Sequence, residues 1–214
     1  MSPPAPPQLP ASLEASGGST LASEDEWEGE LVTGADLTGC VAERVTVSAC
    51  ELRGVRFTGA ELRALDLRDT RVVDCELSGA LMNKASFHRV ELVNCRMAGI
   101  DLSNATLEDV RVSECKLDGA NLRFASSKNA AFTDCSLVDA DLAGARLEDV
   151  RLEHCDLRTA QFAKASLQDV HLIGCELEGI RGAASMAGVT ISPEAALAFA
   201  LSLFAELGIR LESE

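Results

Sequence analysis

The chain has 214 residues and a formal net charge of −15; it is 47% hydrophobic but only 4% aromatic. It contains no apolar stretch of the about 20 residues that a membrane-spanning helix needs, and its start lacks the basic and apolar regions of a secretory signal. We therefore expect a cytoplasmic protein with an aliphatic core, whose eight cysteines are reduced thiols.

The N-terminal segment divides into two parts. Residues 1–23 hold five of the six prolines together with Ser, Gly and Ala, which predicts a disordered tail. The acidic residues 24–31 follow and contain Trp27, the only tryptophan. We expect residues 24–31 to form an N-terminal cap in which Trp27 covers the first turn of the core; a functional role for Trp27 is the alternative.

A five-residue period dominates residues 32–181. From Val32 to Leu177 a bulky apolar residue recurs at every fifth position except at Ala42 and Ser127, and from Ala35 onward a second column of mostly small or β-branched residues lies two places before it. Neither a helix nor a strand has this period. A five-residue unit with two inward side chains instead forms one side of a square coil, so 20 residues complete a turn. The pattern predicts an all-β solenoid of about seven and a half turns over residues 32–181.

Cysteine marks the full turn. Six cysteines follow one another at intervals of 20 residues: Cys75, Cys95, Cys115, Cys135, Cys155 and Cys175. They are predicted to stack on one inner wall as small apolar residues. A metal-binding or disulfide ladder is the alternative, but stacked Cβ vectors run parallel and no C-x-x-C spacing occurs. No metal or cofactor site is predicted.

Ser127 is the one polar residue in the bulky column. A polar group at a core position indicates a small cavity, a local bend or a buried water, or else a kink that shapes a partner surface. The sequence leaves these alternatives open.

The repeat units carry a family resemblance. "GADLTG" (34–39), "GAELRA" (59–64), "GIDLSN" (99–104), "GANLRF" (119–124) and "DADLAG" (139–144) resemble the A(D/N)LXX units of the pentapeptide repeat proteins. The fold that this resemblance implies is a right-handed quadrilateral β-helix.

The C-terminal residues 182–214 do not follow the five-residue period. Ser192, Pro193 and Glu194 predict a helix start, residues 194–207 a helix and Gly208 its end. We expect Leu197, Leu201 and Phe204 to seal the coil. The other stripe, Phe199, Leu203 and Leu207, is then exposed and is predicted to form a two-fold homodimer. A helix that covers both stripes by folding over its own coil is the alternative.

In this terminal helix the chain also resembles the DNA gyrase inhibitor and quinolone-resistance branch of the family. That resemblance implies a C-terminal dimerisation element and binding to DNA gyrase or topoisomerase IV in place of duplex DNA. Some members carry loops that are needed for drug protection, and this sequence has no such insertion in its repeats.

An acidic edge is predicted along two neighbouring rows of stacked positions. Its candidate partner-binding residues are Asp69, Glu108, Asp109, Glu114, Asp134, Glu148, Asp149 and Asp169. Arg71, Arg111 and Arg151 are expected to lie close enough to neutralise part of it through solvated ion pairs.

Enzymatic function is not predicted. His88, His154 and His171 occupy outward positions without a catalytic motif beside them, and an acidic rod repels nucleic acid. Two hypotheses remain: a non-enzymatic DNA mimic that inhibits DNA gyrase or topoisomerase IV, and a structural or adaptor module for an unrelated protein.

Overall fold

The computed structural model describes residues 2–17 and 20–210. Met1, Gly18, Ser19 and residues 211–214 lie outside this range, so those parts of the predicted tail and C-terminal element are not described. Short strands occupy the N-terminal third: β1 (Glu14–Ser16), β2 (Glu26–Glu28), β3 (Glu30–Thr33), β4 (Val41–Glu43), β5 (Thr46–Ser48), β6 (Glu51–Arg53) and β7 (Glu61–Arg63). Longer strands follow: β8 (Asp66–Val73), β9 (Ser86–Val93), β10 (Thr106–Ser113), β11 (Ser126–Thr133), β12 (Arg146–Glu153) and β13 (Ser166–Ile173). The chain ends in β14 (Thr190–Ile191) and the helix α1 (Ala196–Glu206).

Every strand pair is parallel, and through most of the chain each residue pairs with the residue 20 positions later. Leu107, for example, pairs with Phe87 on one side and Ser127 on the other. Strands β8 to β13 each run around one corner and cover two sides of the coil, whereas isolated bridges such as Arg56–Glu76 and Leu81–Asp101 form the other two sides. The predicted four-sided β-helix is thus confirmed as a parallel β-solenoid of about nine turns.

The coil begins earlier than the sequence predicts. Trp27 pairs with Val47, 20 positions on, so it belongs to the bulky column and is only 9% exposed. Before it, β1 pairs with β3 in a register that joins Glu14 to Glu30. This offset of 16 residues is not a multiple of five, which explains why the periodicity does not detect it. The described residues before 24 therefore differ from a disordered tail, and the coil has more turns than the predicted seven and a half.

The cysteine ladder is hydrogen-bonded as well as packed. The Cys95 thiol contacts the carbonyl oxygens of Val93 at 3.4 Å and Val72 at 3.5 Å, and Cys115 Sγ accepts the Cys95 N–H at 3.3 Å. Thr70 lies on the adjacent side of the coil, where it stacks on Val90, and its hydroxyl donates to the carbonyl of Arg68 at 2.7 Å. The cysteine wall is thus built of small side chains whose thiols contact backbone carbonyl oxygens. All eight cysteines are free thiols, and burial raises the pKa of the Cys50 thiol.

Ser127 lines a small cavity. Its side chain is 3% exposed, and its hydroxyl has no hydrogen-bond partner among the described residues. The cavity has a volume of about 30 Å³ and is otherwise lined by apolar side chains, including Phe132, Leu147 and Phe162. The register of β11 with β10 and β12 is unbroken at this point. Of the alternatives left open by the sequence, the structure therefore favours a cavity over a bend or kink.

The coil closes at Gly182. Its φ is +78°, and a Cβ at this position would lie 2.2 Å from the backbone nitrogen of Ala163, so only glycine fits. Beyond it the carboxylate of Glu206 accepts hydrogen bonds from the N–H groups of Gly182, Ala183 and Ala184. Glu206 thereby ties the last turn of α1 back to the end of the coil.

The start of α1 differs from the prediction. A 3₁₀ turn over Pro193–Ala195 precedes it, and Ser192 makes no side-chain cap. Its hydroxyl instead accepts the N–H of Gly174 at 3.2 Å. None of the helices in the described chain is long and apolar enough to cross a membrane.

The two faces of α1 are reversed relative to the prediction. Phe199 and Leu203 pack against the core of the coil, beside the buried Ser202. Leu197 and Leu201 are instead 72% and 44% exposed. The helix is apolar nearly all round, so its periodicity does not determine which stripe faces the coil. Phe204 is half-buried and Leu207 is exposed, so of the predicted dimer residues only Leu207 is free.

Candidate protein-binding edge

The acidic edge follows two neighbouring corners of the coil. The corner residue, at the fifth place of each unit, adopts the left-handed conformation: φ is +46° at Asp69, +54° at Asp109 and +53° at Asp134. Glycine, asparagine and aspartate tolerate this conformation best. The backbone therefore explains why short acidic and amide side chains recur at the corners, where they point into solvent one turn apart.

Three of the eight predicted residues have a basic partner. The guanidinium of Arg89 donates a hydrogen bond to each carboxylate oxygen of Asp69, both at 2.6 Å. Lys128 lies 2.9 Å from Glu148, and His88 lies 3.6 Å from Glu108. The hydrogen bonds from Arg89 keep the pKa of Asp69 below its usual range. These three contacts are spread along the edge, from Asp69 to Glu148.

The three arginines that were predicted to neutralise the edge do not pair with its acids. Arg71 forms an ion pair with Glu91 at 2.9 Å, and Arg151 with Glu153 at 2.5 Å. Arg111 donates to the carbonyl oxygen of Pro4 in the N-terminal segment. Each of these side chains finds a nearer acceptor than a corner carboxylate, so the prediction was wrong for all three.

Five carboxylates of the edge consequently form no ion pair with a described side chain: Asp109, Glu114, Asp134, Asp149 and Asp169. Asp109 accepts a neutral hydrogen bond from Asn129 at 2.5 Å. Residues 109 and 169 are three turns apart, which is about 14 Å along the coil axis at the spacing of neighbouring strands. Duplex DNA carries about eight phosphate charges over that length. The five unpaired carboxylates therefore supply more than half of the negative charge that duplex DNA carries over the same length.

One cluster at the edge has the composition of a metal site. The ligand atoms of His88, Glu108 and Asp109 lie within 4.8 Å of one another. However, the guanidinium of Arg89 contacts the His88 ring, and it also binds Asp69. A fixed positive charge at this distance opposes a second cation, so the arrangement favours an ion pair over a metal centre.

The sequence interpretation missed a further set of contacts at this edge. Pro4 is buried, the Ala5 N–H donates to Asp109 Oδ1 at 3.1 Å, and the Gln8 N–H donates to Asp69 Oδ1 at 2.9 Å. Proline-rich composition alone predicts disorder, because composition carries no information about the surface against which a segment packs. The sequence signal for this contact is the three-residue spacing of Ala5 and Gln8, which both carry a backbone N–H and both follow a proline.

The chain is similar to several solved structures. HetL, a pentapeptide repeat protein involved in heterocyst differentiation regulation from the cyanobacterium Nostoc sp. strain PCC 7120, is 22% identical with a TM-score of 0.35, over 78% of this chain and 88% of HetL. Full-length QnrB1, a plasmid-mediated fluoroquinolone resistance protein, is 20% identical with a TM-score of 0.33, over 89% of this chain and 100% of QnrB1. A pentapeptide repeat protein from the Arabidopsis thaliana thylakoid lumen is 16% identical with a TM-score of 0.28, over 70% of this chain and 75% of that one.

The family itself is identified from the sequence. No curated protein matches the chain significantly. The profile of the pentapeptide repeat region matches residues 46–122, 67–142 and 110–181, which together span more than half of the chain. The matched residues lie within the four-sided coil and include most of its left-handed corners. The chain therefore belongs to the pentapeptide repeat proteins.

Proposed function

We propose that this chain is a non-enzymatic protein-binding rod that inhibits DNA gyrase or topoisomerase IV by occupying their DNA-binding surface. The observation that carries the proposal is the run of five unpaired carboxylates along two adjoining corners, from Asp109 to Asp169. A basic surface built to bind phosphates attracts such a row electrostatically. The choice of a type II topoisomerase rests on the resemblance of the sequence to the gyrase inhibitor branch.

The test is the supercoiling activity of purified gyrase with the full chain titrated in. We expect the triple variant Asp109→Asn, Asp149→Asn and Asp169→Asn to inhibit about tenfold more weakly, because three exposed ion pairs at about 0.5 kcal/mol each amount to one order of magnitude. Asparagine tolerates the left-handed corner, so the fold is kept. Adding a quinolone to the same assay measures protection from a topoisomerase poison separately from inhibition.

A matched control removes three acids from other parts of the coil: Asp118→Asn, Asp139→Asn and Glu178→Gln. This variant changes the net charge equally and should inhibit like the unmodified chain. Equal weakening by both triple variants would show that total charge, and not the edge, governs inhibition. No inhibition by the unmodified chain at large molar excess contradicts the gyrase proposal and favours the adaptor hypothesis, for which pull-down identifies the partner.

The exposed stripe of α1 supports a homodimer as part of the same proposal. Leu197, Leu201 and Leu207 are exposed together on a helix that already covers the coil end with Phe199 and Leu203. Pairing with a second copy about a two-fold axis buries this stripe. We expect Leu197→Asp with Leu201→Asp to give a monomer in light scattering with an unchanged melting temperature. Phe199→Asp should instead lower the melting temperature, since it introduces a charge at the coil end. A monomeric unmodified chain would contradict the dimer.

A further inference from the structure

The backbone N–H groups of the N-terminal segment are spaced like the corner carboxylates of the acidic edge. Residues 3–8 read Pro-Pro-Ala-Pro-Pro-Gln, so between Pro3 and Gln8 only Ala5 and Gln8 have a backbone N–H. Both donate to corner carboxylates of the same row, Ala5 to Asp109 and Gln8 to Asp69. Both backbone N–H groups of this stretch therefore donate to the edge.

The distances agree with a polyproline II conformation. That helix has three residues per turn and rises about 3.1 Å per residue, so Ala5 and Gln8 lie on one face about 9 Å apart. Asp69 and Asp109 are two coil turns apart, which is about 10 Å at the spacing of parallel strands. A segment with an N–H at every third residue thus matches alternate turns of the coil.

Further contacts hold the part of the segment that precedes Ala5. Pro4 is buried, and its carbonyl oxygen accepts a hydrogen bond from Arg111. Residues 2–4 border a depression that is also lined by Asn129, Asp149 and Arg151. Proline limits the conformations of the free segment, so docking it orders fewer degrees of freedom than docking an ordinary tail would.

We propose that the acidic edge is a docking groove for a polyproline II segment, and that residues 2–10 fill it in cis as a strap that competes with the partner of the edge. The strap lies over Asp69 and Asp109 and reaches Asp149. These are residues that a basic partner surface would contact. Docking stands on the contacts alone, whereas competition rests on the proposed function.

Docking is tested on the full ¹⁵N-labelled chain by the {¹H}–¹⁵N nuclear Overhauser effect of the Ala5 and Gln8 amides. We expect values close to those of amides in β8 to β13, unchanged on dilution. Ala5→Pro removes the donor to Asp109 while keeping the polyproline conformation, and should lower the Gln8 value to that of a free tail. Ala11→Pro, at an exposed position of the same segment, is the control and should leave Gln8 unchanged. A freely moving Gln8 in the unmodified chain, or rigidity lost on dilution, overturns docking in cis.

Competition is tested by the dissociation constant for immobilised gyrase. A strap that is docked about 90% of the time weakens partner binding about tenfold. The variant with both Ala5→Pro and Gln8→Pro should therefore bind about tenfold more tightly than the unmodified chain, and Ala11→Pro should not. Equal affinity despite a released strap overturns competition. If no variant binds gyrase, the proposed function and the competition fail, while the nuclear Overhauser values still decide whether the strap docks.

Discussion

Removing one complete turn should leave the fold intact. Deletion of residues 95–114 joins Asn94 to Cys115, which holds the same place as Cys95, so every remaining side keeps its type of neighbour. A solenoid is stabilised by interfaces between adjacent repeats, and this deletion removes one repeat without altering the others. We expect a single cooperative unfolding transition whose midpoint falls by a few degrees, measured by circular dichroism.

Removing three quarters of a turn should have a much larger effect. Deletion of residues 95–109 keeps the five-residue pattern but joins Asn94 to Val110, so strand-forming sides stack on sides that make isolated bridges. Buried backbone groups left unpaired at this junction cost about 1–3 kcal/mol each. The two halves should then unfold in separate transitions. Identical unfolding of both deletion variants would mean that the four sides are interchangeable and that only the five-residue period matters.

Replacing Ser127 should stabilise the chain. Ser127→Ala removes a buried hydroxyl that has no partner among the described residues, with an expected gain of about 1 kcal/mol in the free energy of unfolding. Ser127→Leu also fills the cavity with the residue found at Leu107 and Leu147 in the adjacent turns, and should gain about 2–3 kcal/mol. Urea denaturation of the full chain measures both values.

The neighbouring Ser126, at an outward place, provides the control for this series. Ser126→Ala should change the free energy of unfolding by less than about 0.5 kcal/mol, as surface substitutions usually do. A loss of stability in Ser127→Ala would indicate that the hydroxyl has a partner, such as a buried water. A loss in Ser127→Leu alone would indicate that the surrounding side chains leave too little room for the larger residue.

The sequence predicts the coil well because its period is recorded in every unit. The bulky column, the stacked cysteines and the four sides all follow from counting residues, and the structure agrees from Val32 to Leu177. The extra N-terminal turn was missed at β1, since its offset to β3 breaks the count. A single sequence reveals contacts that recur with its five-residue period, but it does not reveal a contact that occurs only once, such as the pairing of β1 with β3.

The candidate site is predicted less well, for the same reason. The positions of the corner acids follow from the period, but their partners depend on side-chain reach across turns. Arg89 lies one turn from Asp69 and pairs with it, while Arg71 pairs with Glu91, the next residue of its own column, and not with a corner acid. The face of α1 and the contact of Gln8 with the edge are single events without a repeat to reveal them. Both require knowledge of the neighbouring surface.

The left-handed corners also bear on how such a rod could evolve. A corner backbone that prefers aspartate, asparagine and glycine selects acids for folding alone, before any partner exists. Negative charge then accumulates at regular intervals on each new turn gained by duplication. Such a scaffold needs no new acids to become an anionic ligand. The loss of a few basic neighbours, such as Arg89 or Lys128, is enough to expose a row that folding has already built.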